Sequence, residues 1–339
     1  MPWRIALHFF VLPLLLQTGC SSKQAEPVAI PSPPGTLSQS ARQFYANNPV
    51  PVVGVDLTDL QTVKSVRAEI DVAWRSGLTK LNLAPIESFG DYSGVTVNRI
   101  RFPNTVDDGR MIMYLHGGGF VVGSATANIV LPARVAHISQ MPVISVDYRM
   151  PPEHPFPAAL DDTIGVIRQL IDSGQDPQKL ILFGDSAGGG LVLSVALQMK
   201  SLGMPMPAGL IVISPWADLT NSGDTGLTLN DFDPVITWPD TLASAATAYA
   251  GDHDPANPLI SPAFGNYTGL PPLLVQAGSR EVLLSDALRV ARAARGAGVL
   301  VQIDVWDGMW HVFQEHPGAV EAEEAIAEIA IFAKRVTER

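Results

Sequence analysis

The chain has 339 residues, 47% of them hydrophobic and only 16% charged, so it can bury a substantial core and is not a disordered protein. Thirty-three acidic residues against 22 basic ones leave a net charge of −11 without any Lys/Arg run, which argues against nucleic acid or other polyanions as partners. The single cysteine, Cys20, excludes an internal disulfide framework and any multi-cysteine metal site.

Residues 1–20 read as an export signal. Arg4 supplies the basic start, and the apolar run from Ile5 to Leu16 is too short for a membrane span of roughly 20 residues. Thr18-Gly19 then precede Cys20. This resembles a bacterial lipoprotein signal, whose cysteine is lipidated and becomes the mature N-terminus; Gln17 departs from the apolar residue usual there. An ordinary cleaved signal with an incidental cysteine is the plainer alternative. Residues 21–38 are Ser/Pro-rich and fit an extended tether. The expectation is a lipid-anchored protein facing the periplasm or the cell surface, with a globular body over 39–339.

Within the body, short apolar runs predict strands at Val95 to Phe102, Arg110 to Leu115, Pro142 to Tyr148, Lys179 to Phe183, Leu210 to Ile213, Leu273 to Ala277 and Leu300 to Trp306. Most are continuous rather than alternating, as suits strands covered on both faces. Helical patterns lie between them at Ala158 to Ser173, Ser186 to Leu202 and Asp286 to Arg295, and again at Val320 to Val336. The alternation predicts an α/β fold with a mainly parallel sheet. Residues 40–90, which look helical, and 216–250 break the rhythm. Both are placed over the C-terminal edge of the sheet, where such folds bind ligands.

Gly184-Asp185-Ser186-Ala187-Gly188 sits between a predicted strand and a predicted helix. A serine on so sharp a turn needs neighbours without bulk, and the helix N-terminus favours negative charge there. A hydroxyl needs a base to become a nucleophile. Of seven histidines, His311 alone follows the last predicted strand by a short loop, which brings it to the same sheet edge as Ser186. His137 reads as packing, and His316, beside Pro317, reads as exposed. The carboxylate that orients the base is expected after the penultimate strand. Glu281 is the first acid there, and Asp286 is the alternative, with helix capping as its plainer role. His116-Gly117-Gly118-Gly119-Phe120 follows another strand. Three glycines let backbone amides approach a developing oxyanion, with Gly117, Gly118 and Ala187 as the expected donors.

These segments together resemble the bacterial hormone-sensitive-lipase-like (family IV) esterases of the α/β-hydrolase fold. The likeness covers most of residues 90–335: HGGGF at 116–120, VDYR at 146–149, PEHPFPAALDD at 152–162, GDSAGG at 184–189, SPWADLT at 214–220, AGSREVLL at 277–284 and GMWHVF at 308–313. The resemblance implies a carboxylic ester hydrolase with a helical cap from about 40–90 and 216–250. It implies small-molecule esters of short to medium acyl chain as substrates, and neither metal nor organic cofactor. The family's acid is usually Asp, where this chain has Glu281, and Pro151 stands where Ala is usual. An amidase or peptidase, or a non-catalytic binding protein on the same fold, is the alternative, and a homodimer stays open.

Overall fold

A computed structural model describes residues 31–48 and 56–338. The expected signal, Cys20 and most of the tether therefore lie outside the described residues. The elements in chain order are α1 (Gln39–Asn47), α2 (Leu60–Arg75), α3 (Gly77–Lys80), β1 (Ile86–Tyr92), β2 (Val95–Arg101), β3 (Met111–Leu115), α4 (Val130–Ser139), β4 (Val143–Val146), α5 (Ala158–Asp172), β5 (Leu180–Asp185), α6 (Ser186–Ser201), β6 (Gly209–Ile213), α7 (Thr225–Thr228), α8 (Ala243–Ala250), β7 (Leu273–Gly278), α9 (Leu284–Gly296), β8 (Val301–Trp306) and α10 (Val320–Thr337).

The strands form one eight-stranded sheet in the order β1-β2-β4-β3-β5-β6-β7-β8. β1 and β2 pair antiparallel with each other and β2 with β4; every pair from β4 onward is parallel. Alternate residues of each inner strand enter different cores. Met113, Leu115, Leu182 and Val212 join the core on the α5, α6 and α9 side, while Ile112, Tyr114, Phe183 and Ile213 join that on the α4 and α10 side. Period-2 side chains with both faces covered account for the continuous apolar runs. α10 buries Ile326, Ile329, Phe332 and Val336, with Glu321 and Glu323 in its first turn and Lys334 and Arg335 in its last, as the helix dipole favours.

Two features depart from expectation. Residues 86–92, read with the helical stretch 40–90, form β1. It is an edge strand whose Ile86 and Phe89 face solvent, so it carries little core-facing alternation. The stretch before it does hold helices. Ser38 caps α1 through its Oγ, which accepts from the Ala41 N–H at 3.2 Å. Asp59 caps α2 by accepting from the Thr62 N–H at 2.7 Å.

α1 packs far from its neighbours in sequence. Phe44 lies flat on Trp310, with ring centroids 4.1 Å apart, and the Tyr45 hydroxyl donates to the Gly308 carbonyl at 2.7 Å. A third, smaller core gathers Leu37, Ala41, Phe44 and Tyr45 with Met309, Trp310 and Phe313. His316, read as exposed, is half-buried there against Phe44 and Trp310, and burial pushes its imidazole down to about 4.

Candidate active site

β5 runs directly into α6 at Ser186, whose φ of 52° lies in the left-handed region. That strained turn pushes the hydroxyl out of the chain path. It requires the flanking glycines: a Cβ on Gly184 would sit 2.4 Å from the Gly188 carbonyl oxygen, and one on Gly188 would sit 2.0 Å from that of Leu115. The Ser186 carbonyl accepts from the Trp216 N–H at 2.9 Å, which ties the turn to the segment after β6.

The structure brings His311 to this turn. Its Nε2 lies 2.9 Å from Ser186 Oγ. The loop after β8 makes this reach because β8 runs parallel to β7, β6 and β5 and so ends at the same edge of the sheet. Burial pushes the imidazole down to about 3, so it is neutral and Nε2 can accept a proton.

The two candidate acids have different partners. Asp286 accepts from the Ala217 and Asp218 N–H groups, both at 2.8 Å, and so holds the turn of the SPWADLT segment. Glu281 is fully buried, and its Oε2 accepts from Ser214 Oγ at 2.7 Å and from the Gly278 N–H at 2.9 Å. Ser214 in turn accepts from the N–H of Val312, next to His311, at 3.1 Å. No hydrogen bond joins Glu281 to His311; Glu281 Oε1 and His311 Nδ1 are both buried and both lack a partner among the described residues. Burial pushes the Glu281 carboxyl well up, opposed by the Gly278 and Ser214 donors.

The glycine loop corrects one expectation. The Gly117 N–H donates to Asp185 Oδ1 at 3.1 Å, so it is not free to meet a substrate oxygen. A buried amide takes the acceptor within reach, and Asp185 also accepts from the Tyr114 hydroxyl at 2.5 Å. The next two amides, Gly118 and Gly119, make no hydrogen bond among the described residues. Ala187, in the first turn of α6, has no intrahelical acceptor for its N–H.

The site is closed. Ser186 is 6% exposed and His311 4%. Arg67 of α2 donates to the Val121 and Pro151 carbonyls at 2.7 and 2.6 Å and pairs with Glu153. Tyr249 of α8 stacks on Phe120, with centroids 3.7 Å apart. An open groove of about 680 Å³ lies elsewhere, between α2, α3 and residues 124–127, and none of Ser186, Glu281 or His311 lines it.

Residues 112–315 match the sequence profile of the α/β-hydrolase-fold family. An acetyl-hydrolase of Streptomyces hygroscopicus is 39% identical over 231 residues, 68% of this chain and 77% of that protein. An esterase of Acinetobacter venetianus is 38% identical over 66% of this chain and 74% of its own length. Among solved structures, an esterase from the bacterial hormone-sensitive lipase family superposes with a TM-score of 0.79 at 34% identity, covering 88% of this chain and 99% of that one. The chain belongs to the hormone-sensitive-lipase-like esterases of the α/β-hydrolase fold. As a member of that family it is a serine hydrolase.

Several residues around Ser186 and His311 carry little signal in the sequence. Ser214 is legible as a hydroxyl at the end of β6, opening the SPWADLT segment, although its contacts with Glu281 and Val312 are not. Gly119 was indistinguishable from its two neighbours. Asp233 reads locally as a turn residue holding Val235 and Ile236; that it is fully buried and also takes the distant Val282 N–H does not show in the sequence.

Proposed function

We propose that the esterase hydrolyses short- to medium-chain acyl esters through Ser186, His311 and Glu281. The observation that carries this reading is the 2.9 Å approach of a neutral, buried imidazole nitrogen to a serine hydroxyl held at positive φ. Ser186 Oγ attacks the ester carbonyl as its proton passes to His311 Nε2. The tetrahedral oxyanion is met by the N–H groups of Gly118, Gly119 and Ala187. His311 then gives the proton to the departing alkoxide, which leaves as the alcohol and the acyl group on Ser186. Water attacks that acyl-enzyme, again with His311 as base, and the acid is released. Glu281 Oε1 is the acceptor proposed for the His311 Nδ1–H; both atoms are otherwise unpartnered, and Ser214 bridges their loops. A serine buried beneath packed helices supports small acyl groups, and an acetyl-hydrolase among the relatives agrees with that choice.

A series of aryl esters from acetate to palmitate tests the reading. Efficiency should peak at short to medium chains, and a fluorophosphonate should label Ser186. Preference for emulsified long-chain lipid over butyrate would overturn the substrate class. Export and lipidation at Cys20 are proposed from the sequence of residues 1–38 alone. Mass spectrometry of the native N-terminus tests them, an unmodified terminus away from Cys20 refuting lipidation.

A further inference from the structure

We propose that Asp233 is a positioning residue for this reaction: from the segment between α7 and α8, its carboxylate fixes the loops that carry Glu281 and His311. The proposal rests on the triad reading above. Asp233 is fully buried, and main-chain N–H groups hold its carboxylate. Oδ1 accepts from Val235 at 2.9 Å and Ile236 at 3.4 Å, within its own turn. Oδ2 accepts from Val282 at 3.2 Å, and the His311 N–H acts on the same carboxylate. One side chain thus hydrogen-bonds both its own turn and the stretch after Glu281, and its charge also acts on the His311 N–H.

Two of those donors bear directly on catalysis. The Val282 N–H belongs to the peptide that follows Glu281, and the His311 N–H to the peptide that precedes the base. The hydrogen bond fixes the plane after Glu281, and the Asp233 charge favours the orientation of the His311 peptide, so both bear on the directions in which the two side chains leave the backbone. The grip on the acid is two-sided. Phe232, the residue before Asp233, lies under the Arg280 guanidinium at 5.0 Å, so Phe232 and Asp233 hold the residues on either side of Glu281. Tyr45 of α1 takes the other contact with Arg280, at 5.1 Å. Burial pushes the Asp233 carboxyl up to about 7, against the pull of the N–H donors, which measures how far from water this junction sits.

A charge buried among N–H dipoles could be purely structural, and Asp286 provides the comparison. It too is buried, accepts backbone N–H groups and is pushed up to about 7, but it holds the Ala217–Asp218 turn. The test compares Asp233→Asn with Asp286→Asn and Glu281→Gln in the full body of the enzyme, assaying an aryl acetate and counting folded sites by saturating fluorophosphonate. Asp233→Asn turns an NH₂ toward donors. It should lower kcat by about 10–100-fold, the scale of a small misplacement of a catalytic group, with KM within about threefold. The rate of Ser186 phosphonylation should fall in step, and Asp286→Asn at matched melting temperature should lose far less.

A kcat within twofold of the parent, or a loss no larger than that of Asp286→Asn, overturns the proposal. Glu281→Gln with near-normal turnover overturns the triad reading and this inference with it; a slow Glu281→Gln beside a fast Asp233→Asn overturns this inference alone. Asp233→Ser, which keeps one acceptor, carries the same criteria if the amide variant does not accumulate folded.

Discussion

The amide of Gly117 is spent on the carboxylate of Asp185, 3.1 Å away. The residue before Ser186 therefore anchors the first turn of the glycine loop. A Cβ on Gly117 would lie 2.2 Å from Asp185 Oδ2, so the approach admits only glycine. Asp185→Ala would leave this amide and the Tyr114 hydroxyl buried without an acceptor, at about 1–3 kcal/mol each. We expect a lower urea midpoint together with reduced kcat, because the Gly118 and Gly119 amides lose their support. An unchanged kcat in the folded variant would separate the loop from catalysis.

The two acids should rank clearly. Glu281→Gln removes the carboxylate assigned to His311 and should lower kcat by about 10²–10⁴. Asp286→Asn keeps an acceptor near Ala217 and Asp218 and should cost mainly stability. Steady-state kinetics with thermal melts on both variants decides; the reverse ranking would move the acid to Asp286.

Stability should fall as pH rises from about 6.5 to about 8. Asp233 and Asp286 are pushed up to about 7 by burial, while their unfolded value is 3.8, so above that value the folded chain holds protons the unfolded chain has released. Stability from such groups is complete below 3.8 and is lost as pH passes the folded value. His311 and His316, pushed down to about 3 and 4, act oppositely, but only below their unfolded value of 6.5. Above 6.5 the acids act alone. Denaturant melts at half-unit steps should show the decline, and Asp286→Asn should flatten part of it.

Arg67 is one polar latch of α2, beside the Arg75 contacts to Glu87 and Thr126, on a 16-residue helix with Val63 as its one fully buried side chain. Arg67→Ala removes the contacts to Val121, Pro151 and Glu153. The helix should then open more readily, so proteolysis within residues 56–80 should quicken and KM for small esters should rise a few-fold. Proteolysis at the parent rate would show that other contacts, such as those of Arg75, hold α2.

Most of the parallel sheet was legible because its strands are apolar and bounded by glycine or proline turns, and the elbow because its glycines are sterically required. The edge strand β1 was not, since residues such as Ile86 and Phe89 face solvent and break the pattern. Gly117 was misassigned because three glycines in a row look alike until one finds an acceptor. His316 looked exposed because Phe44, which covers it, lies at the other end of the chain. Asp233 was invisible for a related reason: a carboxylate that binds main-chain N–H groups leaves no side-chain partner to read.

The packing of α1 on Trp310 separates the stretch that defines the family from the stretch that makes a working enzyme. The profile match ends at residue 315 and begins only at 112, yet Arg280 donates to the Pro31 and Ser32 carbonyls and Trp310 is roofed by Phe44. A recombinant fragment trimmed to the matched region would strip the cover from the loops that carry Glu281 and His311. A fragment that keeps these contacts starts at or before residue 31, some eighty residues before the matched region begins.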